Sequence, residues 1–511
     1  MPNESLWMAT TPPDRFSELR ANTRADVCVV GAGIAGVTTA YLLAREGRSV
    51  VLLDAGDPGR GQTGVTTAHL SCEIDDRYTE IQRLHGREGA RLAHHSHHAA
   101  IDRIESIVQL EDIRCDFERV SGYLFLALEG PLKDLDEELD AARAAGAAVS
   151  RLDRSPAEHF RTGPCLHFPD QGQFHPLKYL NGVLSAFQRL GGRVFSGTRA
   201  TNVSGGPKAA VETAAGHRVE VEAIVIGTNV PFIDRFAIHT KQAPYHTYVI
   251  GARIRPGTIH PALFWDTADP YHYVRLQRVS GGEPANGDDA ATDILIVGGE
   301  DHKAGQADDA DDRFARLDRW MREHCPAAGA VEFRWSGQVM ESQDGLAYIG
   351  RNPLDAPNVY VATGDSGMGM THGTVAGILL TDLIVGRSNP WTDLYAPSRI
   401  RVGAAADFIK ENLNVAAQYT SWITAGEVAS VDEIPPGTGA VMRDGLLKIA
   451  VYRDTAGTLH RRSAVCTHLG CIVSWNPAAS TWDCPCHGSR FDPYGTVVNG
   501  PAREDLAPHS S

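Results

Sequence analysis

Residues 29–36 read Val-Val-Gly-Ala-Gly-Ile-Ala-Gly, a G-x-G-x-x-G pattern that restricts the fold more than any other feature of the chain. The pattern joins an apolar run at 27–30 to a helical run at 37–45. A second apolar run, 49–53, then ends at Asp54, 23 positions after Gly31. Each element has a physical task. Gly31 makes the tight strand-to-helix turn, Gly33 lets the backbone approach a pyrophosphate, and Gly36 allows helix and strand to pack closely. The first helical turn, with Ile34 and Ala35, offers N–H groups and the positive end of a dipole to phosphates. Asp54 is placed to accept hydrogen bonds from an adenosine ribose. Strand, turn, helix, strand and acid in register predict a βαβ opening with a dinucleotide site, which the glycines alone would not.

The rest of the chain leaves room for more than this unit, since 511 residues accommodate two to four domains. Residues 75–110 read as one long helix, and strand-like and helical stretches alternate to about 235, with a strand at 223–227. Strands dominate from 245 to 299 (245–252, 271–276 and 293–297), with the Gly/Asp-rich run 280–289 as a surface hairpin loop. A helix over 308–325, a strand at 358–362 and a Gly-rich turn and helix over 364–377 follow. Residues 391–397 read as coil and 399–419 as a helical connector to a region of short strands, turns and clustered Cys and His. The net charge of −15 disfavours nucleic acid or an anionic membrane surface as a partner. No run approaches the ~20 apolar residues of a membrane-spanning helix. Residues 1–24 hold three prolines and no apolar core, unlike a signal peptide, so a cytoplasmic location is expected. Cys28, Cys72, Cys115, Cys165 and Cys325 are scattered singly, which is not a disulfide scaffold.

Four further segments bear on the nucleotide: 59–70 (GRGQTGVTTAHL), 335–337 (WSG), 344–350 (DGLAYIG) and 364–373 (GDSGMGMTHG). Together with the opening unit they resemble the D-amino-acid oxidase/glycine oxidase superfamily of FAD-dependent oxidoreductases, over roughly residues 25–395. The resemblance implies an α/β FAD-binding Rossmann-like domain (about 25–75, 175–235 and 335–397) with an inserted mixed-sheet substrate domain (about 76–174 and 236–334). Residues 1–24 form an N-terminal extension. It places Gly364, Gly367, Met368, Gly369 and Met370 beside the N1/O2 edge of the isoalloxazine ring. Thr63, Thr66 and Thr67 would run along the pyrophosphate and ring, with Val203 and Gly227 at the adenosine. No acidic residue follows a strand after the second glycine-rich turn, so no second, NAD-binding fold is expected. Some relatives tether FAD through a histidine near His69, but Leu70 breaks their register and a packed or hydrogen-bonded His69 is expected instead. His94, His97 and His98 share a helix face without an acidic or Cys partner, and a solvated cluster is expected there rather than a metal site.

Residues 245–248, 264–266, 271–275 and 299–303 fall in the region matching the family's substrate sheet. Arg275 could pair a substrate carboxylate bidentately, and Tyr248, Tyr273 or His272 could orient an amine. The competing expectation is that the aromatics fill a core and Arg275 forms a surface pair.

Near the C-terminus Cys466-Thr-His468-Leu-Gly-Cys471 precedes Cys484-Pro-Cys486-His487-Gly-Ser489. By ligand type alone, two thiolates and two imidazoles could hold zinc, although a zinc ribbon would use all four cysteines. C-x-H followed by C-x-x-H is the ligand order of Rieske [2Fe–2S] centres. The segment from about 425 to 511 resembles the Rieske domains of cytochrome bc-type complexes, a small all-β fold reached through a helical linker at 398–424. The resemblance makes Cys466, His468, Cys484 and His487 the cluster ligands and Cys471–Cys486 a disulfide clamping the two loops. Ser489 matches a hydroxyl bonded to a bridging sulfide, and Pro501 matches a shielding proline loop. Phe491 departs from the respiratory pattern, which has a Tyr whose hydroxyl bonds a ligand sulfur, so a lower potential is expected.

In the flavoprotein family a hydride leaves a C–H bond next to an amine nitrogen, and water hydrolyses the resulting imine. With a one-electron centre fused on, the expected function is oxidation of an amine or amino acid. Electrons would pass from FADH2 through the cluster, and from its His468/His487 edge to an external protein or quinone. Two alternatives remain: a reductase in which the cluster feeds the flavin, and a redox sensor switched at Cys471–Cys486. The absence of a second G-x-G-x-x-G pattern counts against the first, and a reducing cytoplasm counts against the second.

Overall fold

The computed structural model describes residues 4–127, 130–233, 238–278, 292–422 and 424–509. The surface loop expected at 280–289 lies outside the described residues.

Val27–Val30 sits inside a six-stranded sheet between Val50–Leu53 and Ala223–Ile226, with all three strands parallel. Arg193–Phe195 forms one edge. On the other side Val359–Thr363 pairs in parallel with Ala223–Ile226 and then antiparallel with the edge strand Tyr348–Arg351. The central strands are apolar at every position because both faces of the sheet are covered. On one face lie the helices Ile34–Arg45 and Gly369–Val385. They approach closely because Gly373 and Gly377 lack side chains: a Cβ there would sit 2.6 Å from Ile34 Cγ2 and 2.5 Å from Thr38 Cγ2. On the other face Cys28, Val30, Val51, Ile224 and Ile226 pack against Val211 and Val219. These two valines belong to a four-stranded sheet of Thr23–Arg24, Arg218–Glu220, Ala210–Thr213 and Ala200–Ser204.

A nine-stranded mixed sheet forms the second layer, with Val331–Ser342 at one edge followed by Gln242–Ile254, Asp293–Lys303 and His272–Gln277. Phe314, Leu317 and Met321 of the helix Ala310–His324 cover one of its faces. The long helix expected from residue 75 runs as Arg77–Leu110, broken at Gly86, where φ is 72°. The expected coil at 391–397 holds a helical turn instead, Thr392–Tyr395. It forms because Trp391 and Tyr395 are drawn into the core and the Tyr395 hydroxyl meets Ser96 Oγ at 2.7 Å.

Beyond the helix Ala405–Gln418 come a three-stranded sheet, Thr438–Asp444, Leu447–Arg453 and Leu459–Ser463, and a four-stranded one. The latter holds Ser474–Asn476, Thr481–Asp483, Arg490–Phe491 and Val497–Asn499 around the buried Trp482. This all-β domain is bonded to the mixed sheet. The His246 ring N–H donates to Asp483 at 2.7 Å, Gln338 donates to the Gly488 carbonyl at 3.1 Å, and Asn499 donates to Gln338 at 2.9 Å. Among the described residues no helix is long and apolar enough to cross a membrane.

Candidate active site and metal centre

A cavity of about 640 Å³ runs from the glycine turn to the mixed sheet. Its first end is built of backbone. Gly31 has φ +101°, and a Cβ there would lie 2.4 Å from the Gly227 carbonyl oxygen. At Gly36 a Cβ would lie 1.8 Å from the Gly31 carbonyl oxygen, so this glycine packs the helix onto the turn and does not itself line the cavity. Gly31, Gly33, Ile34, Ala35 and Asp54 do line it, and the Thr63 hydroxyl accepts from the Ile34 N–H at 3.0 Å. Asp54 accepts from the Ala32 and Gly56 N–H groups at 2.6 and 2.8 Å, while burial raises its pKa. Thr66, Thr67 and Gly227 form further wall, and Gly364, Gly367, Met368, Gly369 and Met370 close the opposite side. Val203 does not reach the cavity. It pairs with Val211 and packs between the sheets, and Arg199 and Ala200 take the wall position expected for it. A side-chain-free turn that a Cβ would fill, at a helix start without a side-chain cap, fits the pyrophosphate of FAD.

At the other end the structure redistributes the expected substrate residues. Tyr273 lines the cavity, its hydroxyl 2.5 Å from Thr247 Oγ1. Tyr248 lies on the opposite face of the sheet, with its hydroxyl 2.9 Å from His302 Nε2. His272 turns outward to Asp266 at 2.8 Å and stacks on Trp320. Arg275 is 1% exposed, and its Nη1 donates to the carbonyls of Thr67, Ala68 and Phe174. Burial pulls its pKa down to about 9, and nothing in this arrangement offers it to a substrate carboxylate. His69 lines the cavity with both ring nitrogens hydrogen-bonded, to Thr67 Oγ1 and the Val274 carbonyl, and burial holds it neutral with a pKa of about 3.

Four carboxyl groups line this end, those of Asp75, Asp301, Glu341 and Asp365. Burial, then the neighbouring carboxylates Asp301 and Asp365, raises Asp75 to about 7 against the opposing pull of the Tyr271 hydroxyl and Arg77. Burial raises Asp301 to about 7 and Asp365 to about 6, and it raises Glu341 strongly, helped by Asp76, Asp75 and Asp301. Asp301 and Asp365 fall in the segments 299–303 and 364–373 singled out from the sequence, though neither was given a role, while Asp75 and Glu341 carry no signal. The expected solvated histidine cluster does not form. His97 is fully buried 3.1 Å from His372, His94 meets the Tyr78 hydroxyl, and His98 meets Asp102.

In the C-terminal domain the two Cys/His loops each close on their own main chain, Gly470 N–H to Cys466 O at 3.0 Å and Gly488 N–H to Cys484 O at 3.1 Å. Cys471 and Cys486 are joined by a disulfide with Cα atoms 6.5 Å apart. Three sulfurs, of Cys471, Cys484 and Cys486, lie within 4.8 Å of one another, but the disulfide removes two as ligands and rules out a four-cysteine zinc ribbon. Cys466 and Cys484 remain as buried thiols competing for one proton. The hydrogen bond from Cys484 draws Cys466 down to about 7, and the same contact raises Cys484. The His468 and His487 rings stand 5.1 Å apart at 89°, and the buried Nδ1 of His487 has no hydrogen-bond partner. Two free thiols, two imidazoles and an unsatisfied ring nitrogen fit a [2Fe–2S] cluster. Ser489 Oγ hydrogen-bonds Cys466 and accepts from the Ala502 N–H at 3.0 Å, with Pro501 between Ala502 and the cavity-lining Gly500. Phe491 is fully buried and brings no hydroxyl.

At the His468/His487 edge His487 is buried and His468 is half-buried. His239, 2% exposed and carried by the segment that leads into the mixed sheet, packs against both rings at 5.1 and 6.0 Å. No sequence signal singled it out. Arg490, Asn499 and Ala502 meanwhile line the same cavity as Gly31, so the two sites share a wall.

A glycine-cradled dinucleotide cavity beside a Cys/His cluster pocket defines a flavoprotein that carries its own iron–sulfur centre. The chain belongs to the FAD dependent oxidoreductase family, whose model matches residues 26–383, and residues 422–510 match the Rieske [2Fe-2S] domain. It is an FAD-dependent oxidoreductase that binds FAD and a [2Fe–2S] cluster. Along almost its whole length it is similar to YhfW of Bacillus subtilis (strain 168), described as a Rieske 2Fe-2S iron-sulfur protein. That match is 31% identical over 505 residues and covers 98% of this chain and 97% of the relative. Gamma-glutamylputrescine oxidoreductase of Escherichia coli (strain K12) is 26% identical over 384 residues, covering 73% of this chain and 86% of the relative. The glycine oxidase structure from Geobacillus kaustophilus shares the fold of the larger domain. Its TM-score is 0.60 at 18% identity, over 74% of this chain and 100% of that one.

Proposed function

We propose that this protein oxidises the C–N bond of a small amine or amino acid and exports the electrons singly through its own cluster to an external acceptor. The observation that carries the reading is the shared wall: Arg490, Asn499 and Ala502 of the cluster domain line the flavin cavity. The kinship with gamma-glutamylputrescine oxidoreductase supports an amine donor. When bound, the flavin would take a hydride from a C–H next to the amine nitrogen and the cluster would carry electrons one at a time.

In this reading Gly31, Gly33, Ile34 and Ala35 hold the pyrophosphate with Thr63, and Asp54 takes the ribose. Thr66, Thr67, Gly227, Gly364, Gly367, Met368, Gly369 and Met370 seat the remainder of FAD, with Gly36 packing the helix behind it. Cys466, His468, Cys484 and His487 hold the iron, the Cys471–Cys486 disulfide ties the loops, and Ser489 donates toward the cluster from beneath Pro501. In this reading electrons would cross the wall that the cluster domain shares with the flavin cavity, at Arg490, Asn499 and Ala502. Anaerobic mixing of the holoenzyme with a panel of amines and amino acids tests this. Bleaching of the flavin followed by a Rieske-type EPR signal is expected. Rapid H2O2 formation in air with the cluster left oxidised would overturn it.

A further inference from the structure

The N-terminal extension belongs to neither domain by sequence, yet its short helix Leu6–Thr10 packs against the cavity wall, and Met8 is part of that wall. Beside it, five consecutive main-chain carbonyls, of residues 64–68, are each taken by a side chain from elsewhere in the chain. Ser5 Oγ donates to the Gly64 carbonyl at 2.5 Å, Trp335 Nε1 to Val65 at 2.8 Å and Trp7 Nε1 to Thr66 at 2.6 Å. Arg275 Nη1 donates to Thr67 at 3.2 Å and to Ala68 at 2.9 Å, and its guanidinium lies 5.3 Å over the Trp7 ring. All four donor side chains are at most 1% exposed.

Two further observations say what the held carbonyls are for. Ala68 has φ +59°, a conformation that a residue with a Cβ keeps only where its surroundings over-determine it, and Arg275 fixes the carbonyls on both sides of its Cα. The N–H groups of Val65 and Ala68 are satisfied within the segment, by the Gln62 carbonyl and Thr66 Oγ1. The Thr67 N–H has no partner among the described residues. It shares a planar trans peptide with the Thr66 carbonyl, so the two point opposite ways. Because that carbonyl is drawn toward the fully buried Trp7, the N–H is aimed away from the core, where Thr66 and Thr67 line the cavity. A half-buried N–H left without a protein partner is a donor held ready for a ligand.

We propose that Ser5 and Trp7 of the N-terminal segment are positioning residues of the flavin site. With Trp335 and Arg275 they hold the carbonyls of 64–68 off the cavity, which leaves the Thr67 N–H as a donor to the bound flavin. Such a donor favours the electron-rich reduced flavin over the oxidised one. A released Thr66 carbonyl is free to turn toward the cavity and would disfavour the reduced form. Arg275 thereby acquires a task that needs no substrate carboxylate. The proposal is independent of which substrate is oxidised.

The test is a redox titration of the full-length holoenzyme at the flavin band, with FAD affinity and melting temperature measured beside it. Trp7→Phe keeps an aromatic ring and removes only the N–H donor with part of the ring system. It should weaken binding of oxidised FAD about tenfold, the worth of one buried hydrogen bond, and of reduced FAD about a hundredfold. That tenfold difference between the two forms lowers the two-electron midpoint potential by about 30 mV. Ser5→Ala, which removes one hydroxyl and almost no volume, should move the potential in the same direction by a smaller amount. A merely structural role for the N-terminal helix would lower the melting temperature and leave the flavin potential where it was, and that result would overturn the proposal. If Trp7→Phe gives no folded protein, Ser5→Ala decides alone, and an unchanged potential in it overturns the proposal equally.

Discussion

The two ends of the cavity are built from different materials. The dinucleotide end is main chain: glycines at 31, 33 and 36, the start of the helix Ile34–Arg45, and the Gly227 carbonyl against which Gly31 is pressed. The substrate end is side chain: four carboxyls and an aromatic wall drawn from segments separated by up to 290 positions in sequence (Asp365 minus Asp75). Backbone can present N–H groups and a dipole to a phosphate only if side chains stay away, so that end tolerates almost no change. Side chains can be exchanged one at a time, so the charged end is where a family with one fold can change its substrate.

The sharpest way to break this comparison is at Gly31. Gly31→Ala combines a positive φ with a Cβ 2.4 Å from a carbonyl oxygen, at a cost of about 3 kcal/mol or more. Purified variant should lack the visible absorption band of bound flavin. Gly47→Ala, also at positive φ (+78°) but with open space around it, should keep the band and lose about 1 kcal/mol.

Next in size is the lock between the all-β domain and the mixed sheet. Burial opposes ionisation of Asp483, but Arg490 and His246 outweigh it and hold the carboxyl well below its ordinary range. His246→Ala removes a buried partner at 2.7 Å and should cost about 2–3 kcal/mol in urea unfolding. Because the folded pKa is depressed, this stabilisation is complete above the ordinary carboxyl value, about pH 4, and is lost as the pH falls through the folded value. The melting temperature of the wild type should therefore drop more steeply below about pH 4 than that of Asp483→Asn.

At the cluster, Phe491→Tyr would supply the missing hydroxyl. One hydrogen bond worth ~1 kcal/mol should raise the midpoint potential by roughly 40 mV in a redox titration. An unchanged potential would mean that the hydroxyl does not reach a ligand sulfur. The smallest effect is expected at Val203→Ala, which should leave flavin content unchanged and cost about 1 kcal/mol as a half-buried packing residue.

Legibility in the sequence followed the same division. The glycine turn and the Cys/His loops are short segments whose residues are fixed by local backbone geometry or by reach to a common centre. Gly31, Gly33 and Asp54 line one end of the cavity, and Cys471 and Cys486 form a disulfide. Arg275 shows the limit. Its position on a substrate-sheet strand is readable, but not that the 67–68 segment and Phe174 present three carbonyls to it. Tyr248 and His272 differ from expectation for another reason: in a strand alternate residues face opposite ways, and which face meets the cavity is decided by the packing of Ala310–His324 on the other side. Val203 stands three residues along its strand from Ala200, which takes the wall, and resemblance alone does not resolve that register. His239, Asp75 and Glu341 carry no pattern at all, because they are brought to their sites only by the fold.

Electrons leaving the flavin cavity through the adjoining cluster are the central claim, and one freeze-quench experiment addresses it directly. The oxidised holoenzyme is mixed anaerobically with the amine or amino acid of the panel that bleaches the flavin and sampled for flavin absorbance and EPR over a single turnover. The flavin is expected to bleach and a Rieske-type EPR signal to grow in within the same turnover, with no added mediator. A flavin that stays reduced while the cluster remains EPR-silent until an external donor is added would contradict it.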